Sequence, residues 1–356
     1  MEKPRSRTRP SRAGSGATLQ QVATQAGVSL ATASRVLHGS GSRTVGEELR
    51  RRVEAAASEL RYVPNAPAQT LARAASSFVG LIVHDVADPY FGAIAAGAMR
   101  AARERDLLVM IAATSREPGL ELEYLRGLRA QRARAVILAG SGTSDRKATA
   151  QLAEEIAGFE SEGGRVVCIG ERGPDLDAIL LGNREGADQA IRSLWELGHR
   201  RIGVVSGPPD LLAVRHRLDG ARRALRELGS PLADGAVETA DFTREGGRQA
   251  AVRLLTANPD LTAVLALNDV MAAGVLKGLQ DDLGIGVPDR ISVIGFDDVP
   301  FAADLRPSLS TVSLPLEQAG EQAMSLLTGP PADAPLRVTL RPEVVQRASS
   351  GPAIAD

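Results

Sequence analysis

Apolar and polar positions follow two different rhythms along the chain. The first 17 residues lack any period and are rich in Arg, Pro, Ser and Gly, which predicts a basic tail without a packed core. From residue 18 the apolar residues recur at helical spacing in short bursts. Leu19, Val22, Ala23 and Ala26 share one face, and "TLQQ" at 18–21 has the form of a capping box, with the Thr18 hydroxyl accepting from the Gln21 amide. Gly27 stops this helix, and Ser29 can cap a second one over residues 30–37. Two short helices joined across a glycine form a helix-turn-helix pattern. Val45, Leu49, Val53, Ala57 and Leu60 mark a third helix over 45–60, which Pro64 ends, and "NAPAQTLARA" from Asn65 predicts a short fourth one.

From Phe78 the rhythm changes. Short apolar runs ("FVGLIV", "LLVMIA", "AVILA", "RVVCI", "RIGVVS", "AVLAL", "ISVIGF") alternate with helical stretches near 91–105, 119–131, 146–160, 184–198, 215–229, 244–257 and 270–283. This alternation predicts parallel sheets covered by helices on both faces. A loose internal echo, strand then proline-containing loop then long helix, predicts two similar lobes. The expected fold is therefore a small all-α helix-turn-helix head followed by an α/β body of two doubly wound parallel-sheet lobes.

Composition sharpens this picture at three points. Aromatics make up 3% of the chain, so the cores must be built from Ala, Val, Leu and Ile. One cysteine, Cys168, forbids an intramolecular disulfide and suits a reducing cytoplasm, which is the expected location in the absence of an apolar leader or a membrane-length apolar run. The net charge of −1 hides an asymmetry. Residues 1–77 hold 12 Lys and Arg against 5 Asp and Glu, a net +7, and the remainder is −8. A basic head on an acidic body implies that the head alone meets a polyanion.

Several segments together resemble the lactose/galactose repressor (LacI/GalR) family of bacterial transcription regulators. They are "ATLQQVATQAGVSLATASRVLHGSG", "YVPNAPAQTLA", "GLIVHDVADPYF", "LGHRRIGVVSGPPD", "RHRLDGARRAL", "ALNDVMAAGVLKGL" and "ISVIGFDDVPFA", in that order, spanning about residues 18 to 348. The resemblance implies a tail at 1–17, a DNA-binding head at 18–64, a hinge helix and linker at 65–77, a body at 78–348 and a tail at 349–356. The body is periplasmic-binding-protein-like, with an N-lobe of about 78–180 plus 307–330 and a C-lobe of about 181–306 plus 331–348.

In such a head the second helix enters the major groove. The resemblance places Leu30 and Ala31 at the leading base-facing positions and Arg35 one turn later. An arginine can donate two hydrogen bonds to guanine, whereas Leu30 and Ala31 offer apolar contact only. Leu30 also lies one turn before Ala33, where the alternative is the head's core. Thr18, Ser29, Thr32 and Ser34 suit phosphate oxygens, and His38 suits base or phosphate. About two extra residues between His38 and Val45 bring in Arg43. In the hinge, Asn65 caps, Ala68 flanks, and Leu71 corresponds to the leucine that the family wedges into the minor groove. Pro67 departs from the family's aliphatic residue there.

For the body, the resemblance implies an effector in the cleft beyond the carboxyl ends of the strands. The candidates are His84, Asp85, Tyr90, Phe91, Arg217, Phe242, Asn268 and Asp297, with Asp88 beside them. Arg217 suits a ligand or an internal carboxylate, Phe91 a ligand or the core, and Asp269 a ligand or a helix cap. Gly182 stands where many relatives have an aspartate. The implied function is a regulator, repressor-like, that binds a near-palindromic double-stranded DNA operator as a homodimer under control of a small-molecule effector, a sugar or sugar derivative. The alternative is a sugar-binding protein without a DNA role. No cofactor, metal site or enzymatic activity is expected. The chain has no G-x-G-x-x-G after the first strand, no P-loop, no G-x-S-x-G and no H-E-x-x-H, and its four histidines lack metal-ligand spacing.

Overall fold

The helical spacing of the first segment produces three helices, α1 (Leu19–Ala26), α2 (Leu30–His38) and α3 (Glu47–Glu59). These lie in the computed structural model of the chain, which describes residues 17–38, 45–62, 76–117, 119–173 and 175–354. The chain divides into two units, Met1–Ser76 and Ser77–Asp356.

In the first unit, Thr18 makes both bonds of the capping box, and Gly27 ends α1 with φ 63°. The Arg52 guanidinium on α3 adds a second closure, donating to the Ala26 carbonyl at 2.6 Å. Val22, Ala23, Ala26, Ala33, Val53, Ala56 and Ala57 form the core, with Val36 and Leu37 packed at its edge. Small residues dominate it, so three short helices approach closely. The hinge segment with Asn65, Pro67, Ala68 and Leu71, the inserted Arg43 and the side chain of His38 lie outside the described residues.

The second unit contains two six-stranded sheets. The N-lobe has β1 (Phe78–Val83), α4 (Pro89–Arg103), β2 (Leu108–Ala113), α5 (Leu120–Ala130), β3 (Ala135–Ala139), α6 (Arg146–Ser161), β4 (Val166–Ile169) and β5 (Asp177–Leu180). The C-lobe has α7 (Asn183–Glu196), β6 (Ile202–Ser206), α8 (Leu212–Glu227), β7 (Val237–Thr239), α9 (Arg244–Ala257), β8 (Ala263–Ala266), α10 (Asp269–Lys277), β9 (Ser292–Asp297) and β10 (Ser310–Ser313). The chain then returns through α11 (Leu316–Thr328) and β11 (Arg337–Thr339), and ends in β12 (Glu343–Val345). The sheet orders are β11-β5-β4-β3-β1-β2 and β12-β10-β9-β8-β6-β7. Every pairing is parallel except β10 with β12. The central strands are buried throughout, as parallel sheets sandwiched by helices must be.

This topology corrects the expected partition of the lobes. β10 falls within 307–330, assigned to the N-lobe, yet it pairs with β9 of the C-lobe. β11 falls within 331–348, assigned to the C-lobe, yet it extends the N-lobe sheet beside β5. The chain therefore crosses between lobes after β5, after β10 and after β11. The expected tail at 349–356 is also corrected over its described part. Ser349 is fully buried and its hydroxyl donates to the Val293 carbonyl. His199 reaches the Gly351 carbonyl, and the Ala353 amide donates to the Leu197 carbonyl. Buried backbone and hydroxyl groups here need partners, and this segment supplies them.

A low-aromatic core demands close helix contacts, and α4 against α11 shows how they are made. A Cβ on Gly97 would lie 1.9 Å from the Glu317 carbonyl oxygen, and one on Gly320 would lie 2.1 Å from that of Ile94. Because the obstacle is backbone on both sides, the helices would have to separate. Gly97→Ala is expected to cost about 1–3 kcal/mol or more in a urea unfolding titration. Gly92→Ala on the same helix, where a Cβ meets nothing, serves as the control.

Candidate functional site

Two candidate sites emerge, one in each unit. In the head, Ala33 is the fully buried residue of α2, while Leu30 is 46% exposed. Leu30 therefore leaves the core, and Ala31 is exposed beside it. Ser29 serves the helix start: its hydroxyl accepts from the Thr32 amide at 3.1 Å and lies 2.8 Å from the Thr32 hydroxyl. Thr18 is likewise committed to its capping box. Ser34 and Arg35 are half-buried, and among the described residues Arg35 has no ion pair or hydrogen bond. The outer face of α2 thus carries two exposed apolar side chains at its start and an uncommitted guanidinium one turn on.

In the body, residues from both lobes enclose a cleft of about 470 Å³, its mouth included. The strand ends place them, because a parallel sheet delivers all its carboxyl ends to one edge. The N-lobe contributes His84, Asp88, Tyr90, Phe91, Arg116 and Ser141; the C-lobe contributes Leu211, Arg217, Phe242, Asn268 and Asp297. Of the candidates read from the sequence, Asp85 and Asp269 lie outside this lining. The Asp85 carboxylate turns back to accept from the Ala87 amide at 2.9 Å, because the turn entering α4 needs that acceptor. Asp88 takes the N-cap of α4, accepting from the Tyr90 amide, and so aims Tyr90 and Phe91 inward. Phe91 is 5% exposed and stacks edge-on against Tyr90 at 4.9 Å, so it is both core and wall.

Arg217 is the centre of the C-lobe side. Its Nη2 donates to the Asp297 carboxylate at 2.8 Å, its Nε to the Asn183 Oδ1 at 2.7 Å, and its Nη1 to the Leu267 carbonyl at 2.5 Å. The guanidinium also lies over the Phe296 ring, 3.9 Å from the centroid. Burial pushes the Asp297 carboxyl up to about 7, against the pull of Arg217. Its backbone has φ 111°, an uncommon conformation for a side-chain-bearing residue. Asn268 caps α10 by accepting from the Met271 amide, while Asp269 does not cap. Asp269 is buried, takes bonds from the Val299 amide and the Thr311 hydroxyl, and is driven well above the usual carboxylate range by burial. Gly182 has φ 62°, and a Cβ there would meet Pro342 Cδ at 2.6 Å, so an aspartate does not fit this chain.

Residues missed in the sequence close the cleft. Arg116 stands over the Phe242 ring at 5.4 Å, joining the two lobes. The Ser141 hydroxyl accepts from the Ala213 amide, and the Gly142 carbonyl accepts from the Leu212 amide at 2.9 Å. These satisfy first-turn donors of α8, which has no side-chain cap of its own. Thr143 and Leu211 form an isolated antiparallel bridge alongside. A N-lobe loop thus caps the helix that carries Arg217. The available signal was position: Arg116 follows β2 and Ser141 follows β3, at the same carboxyl edge as the residues that were found.

His84 is largely enclosed by the cleft, and burial, with Arg172 nearby, pushes its imidazole down to about 4. The unfolded chain then binds more protons than the folded one between about pH 6.5 and 4, so stability falls as pH drops through that window. The shift corresponds to about 3 kcal/mol when fully developed. His84→Gln is expected to remove that component, seen as a smaller loss of denaturation midpoint between about pH 7 and pH 4.5. No cluster of three or more potential metal ligands occurs among the described residues. Nor is any helix among them long and apolar enough to cross a membrane.

Residues 18–65 match the family described as bacterial regulatory proteins, lacI family, and residues 191–350 match the periplasmic binding protein-like domain. The HTH-type transcriptional regulator GalS of Salmonella typhimurium is 36% identical over 311 residues, covering 87% of this chain and 88% of GalS. The HTH-type transcriptional regulator CelR of Thermobifida fusca is 34% identical over 342 residues, covering 93% of this chain and 98% of CelR. Among solved structures, the Lac repressor dimer bound to operator and the anti-inducer ONPF superposes with a TM-score of 0.80 at 25% identity, covering 95% of this chain and 100% of that one. A transcriptional regulator CelR–cellobiose complex gives 0.68 at 32% identity, covering 94% and 99%. With relatives this similar over nearly its whole length, the chain belongs to the LacI family of bacterial regulatory proteins.

Proposed function

We propose that this chain binds a near-palindromic DNA operator as a homodimer, and that a sugar or sugar derivative held between the lobes controls that binding. The observation that carries the reading is the cleft. Two lobes meet around a buried Arg217–Asp297 pair walled by Phe91 and Phe242, with Asn268 and Tyr90 adding polar atoms. Charge-assisted donors and acceptors beside aromatic faces suit a hydroxylated ring. The relative CelR is solved with cellobiose, which favours a sugar over other classes. In the head, Arg35 would read a guanine while Ser29, Thr32 and Ser34 face phosphates. In the hinge, Leu71 would wedge into the minor groove, with Ala68 beside it and Asn65 capping the segment.

The dimer is supported by an uncovered edge. Among the described residues β2 pairs only with β1, and Leu108, Met110 and Ile111 along it are exposed, Leu108 by 71%. Met99 on α4 is also exposed. An apolar edge strand needs a cover, and a second copy provides one. Effector control would follow from the loop that caps α8: the lobes are joined at Ser141–Gly142, and a ligand held between them would favour the arrangement in which that contact is made.

The test is a thermal-shift screen of the full chain against mono- and disaccharides, followed by gel shifts on operators selected from a random DNA library. A sugar that raises the melting temperature and changes operator affinity is the expected result, since a ligand of the folded state alone stabilises it. Selection that yields no preferred DNA sequence, with or without sugars, would count against the reading.

A further inference from the structure

We propose that the N-lobe holds a second small-molecule site, outside the cleft, for a neutral polyhydroxylated ligand. The space lies between α5 and α6 and measures about 1060 Å³, its mouth included. Leu122, Leu152, Ile156 and Leu176 give it apolar walls, and Arg172 and Glu121 stand among them.

The Arg172 side chain is only 5% exposed. Its Nη1 donates to Glu121 Oε2 at 2.7 Å and its Nη2 to the Gly140 carbonyl at 3.3 Å. Among the described residues, however, its Nε has no partner, and neither has Glu121 Oε1. One buried donor and one buried acceptor are thus left open on the two members of a single ion pair. Each unmade bond of this kind costs about 1–3 kcal/mol, and because both atoms are buried, a ligand recovers that cost as the Arg172 and Glu121 side chains turn toward it. A hydroxyl is both donor and acceptor, and adjacent hydroxyls on a ring offer one of each. Charge selects against ions: Arg172 is paired with Glu121, and the lining carries one further cation, Lys147, and one further anion, Asp145, whose carboxylate caps α6 by accepting from the Lys147 backbone amide. The apolar walls then suit the carbon face of a neutral ring.

The site also touches the machinery of the cleft. Arg172 holds the Gly140 carbonyl, Gly140 and Ser141 line the cleft, and Gly142 lines the second pocket while accepting from α8. A ligand that fixes Arg172 therefore steadies the loop that joins the lobes. This inference does not depend on what the cleft binds.

The experiment uses the full chain and two neutral probes, methyl β-D-glucopyranoside and methyl β-D-galactopyranoside, followed by saturation-transfer NMR. It is run in a Phe242→Ala background, which removes an aromatic wall of the cleft. At least one probe is expected to show saturable binding there. Leu152→Trp, which fills the pocket, should weaken it at least about tenfold, a loss readable as a shifted titration midpoint. Ala148→Leu fills the same space from the neighbouring turn and replaces it should the tryptophan variant fail to fold by circular dichroism. Three outcomes would overturn the inference: no saturable binding of either probe, binding unchanged by filling the pocket, or crystals grown with the probes that show only water beside Arg172.

Discussion

Arg217→Ala is expected to abolish the response to the effector and to destabilise the body by about 3–5 kcal/mol, the usual cost of removing one member of a buried ion pair. The guanidinium holds Asp297, Asn183 and the Leu267 carbonyl at once, so its loss strands three acceptors, two of them in fully buried bonds. The loss has a pH signature. Without Arg217, the Asp297 carboxyl rises above the value of about 7 that burial already gives it. The folded variant then binds a proton that the unfolded chain, with an ordinary carboxylate, releases. Its stability falls as pH rises, so the deficit against the parent should be largest above about pH 8 and shrink in acid. Urea titrations across pH measure this, and adding Asp297→Asn to Arg217→Ala should restore part of the loss at high pH. An equal deficit at all pH values would show that Arg217 acts through packing alone.

Arg35→Ala is expected to weaken operator binding by about 1–3 kcal/mol for each half-site, and so by up to about 6 kcal/mol for a dimer. The side chains of Leu30 and Ala31 are exposed but cannot donate hydrogen bonds, which leaves Arg35 as the strongest candidate for base reading among the described residues of α2. The base preference at one position per half-site should relax in a selection from random DNA. A phosphate contact would behave differently, with uniform weakening across sequences and a salt slope reduced by about one. Unchanged affinity would make Arg35 a solvated surface charge.

Much of this protein was legible along the chain because its signals are local. The capping box at Thr18–Gln21 and the left-handed stop at Gly27 are decided by residues within one helical turn, and both form as expected. The long apolar strands showed themselves as runs, because a strand buried on both faces has no polar side. What stayed hidden had no such run. β10 reads "STVS", with Ser310 and Thr311 fully buried through bonds to the 347–350 segment and to Asp269. α11 follows Pro315 and lacks a side-chain cap, so nothing marks its start.

The cleft divides in the same way. Arg217, Phe242, Asn268 and Asp297 could be named because they follow recognisable strands in a familiar order. Asp85 stands outside the lining because a strand end fixes the neighbourhood of a side chain but not its direction: one carboxylate oxygen takes a local amide and the other lies 3.8 Å from Arg116. Arg116 and Ser141 acquire their roles only when the lobes meet, as does the bond between Gly142 and α8. The sequence by itself determined the head-and-body division, the helices and strands that carry a clear apolar period, and most of the cleft's chemistry, since period, caps and charge act over a few residues. Only the tertiary structure decided which lobe owns β10 and β11, which acceptors are spoken for, and which two atoms of the Arg172–Glu121 pair remain open. Those are questions of what lies across a gap, between residues that the chain keeps far apart.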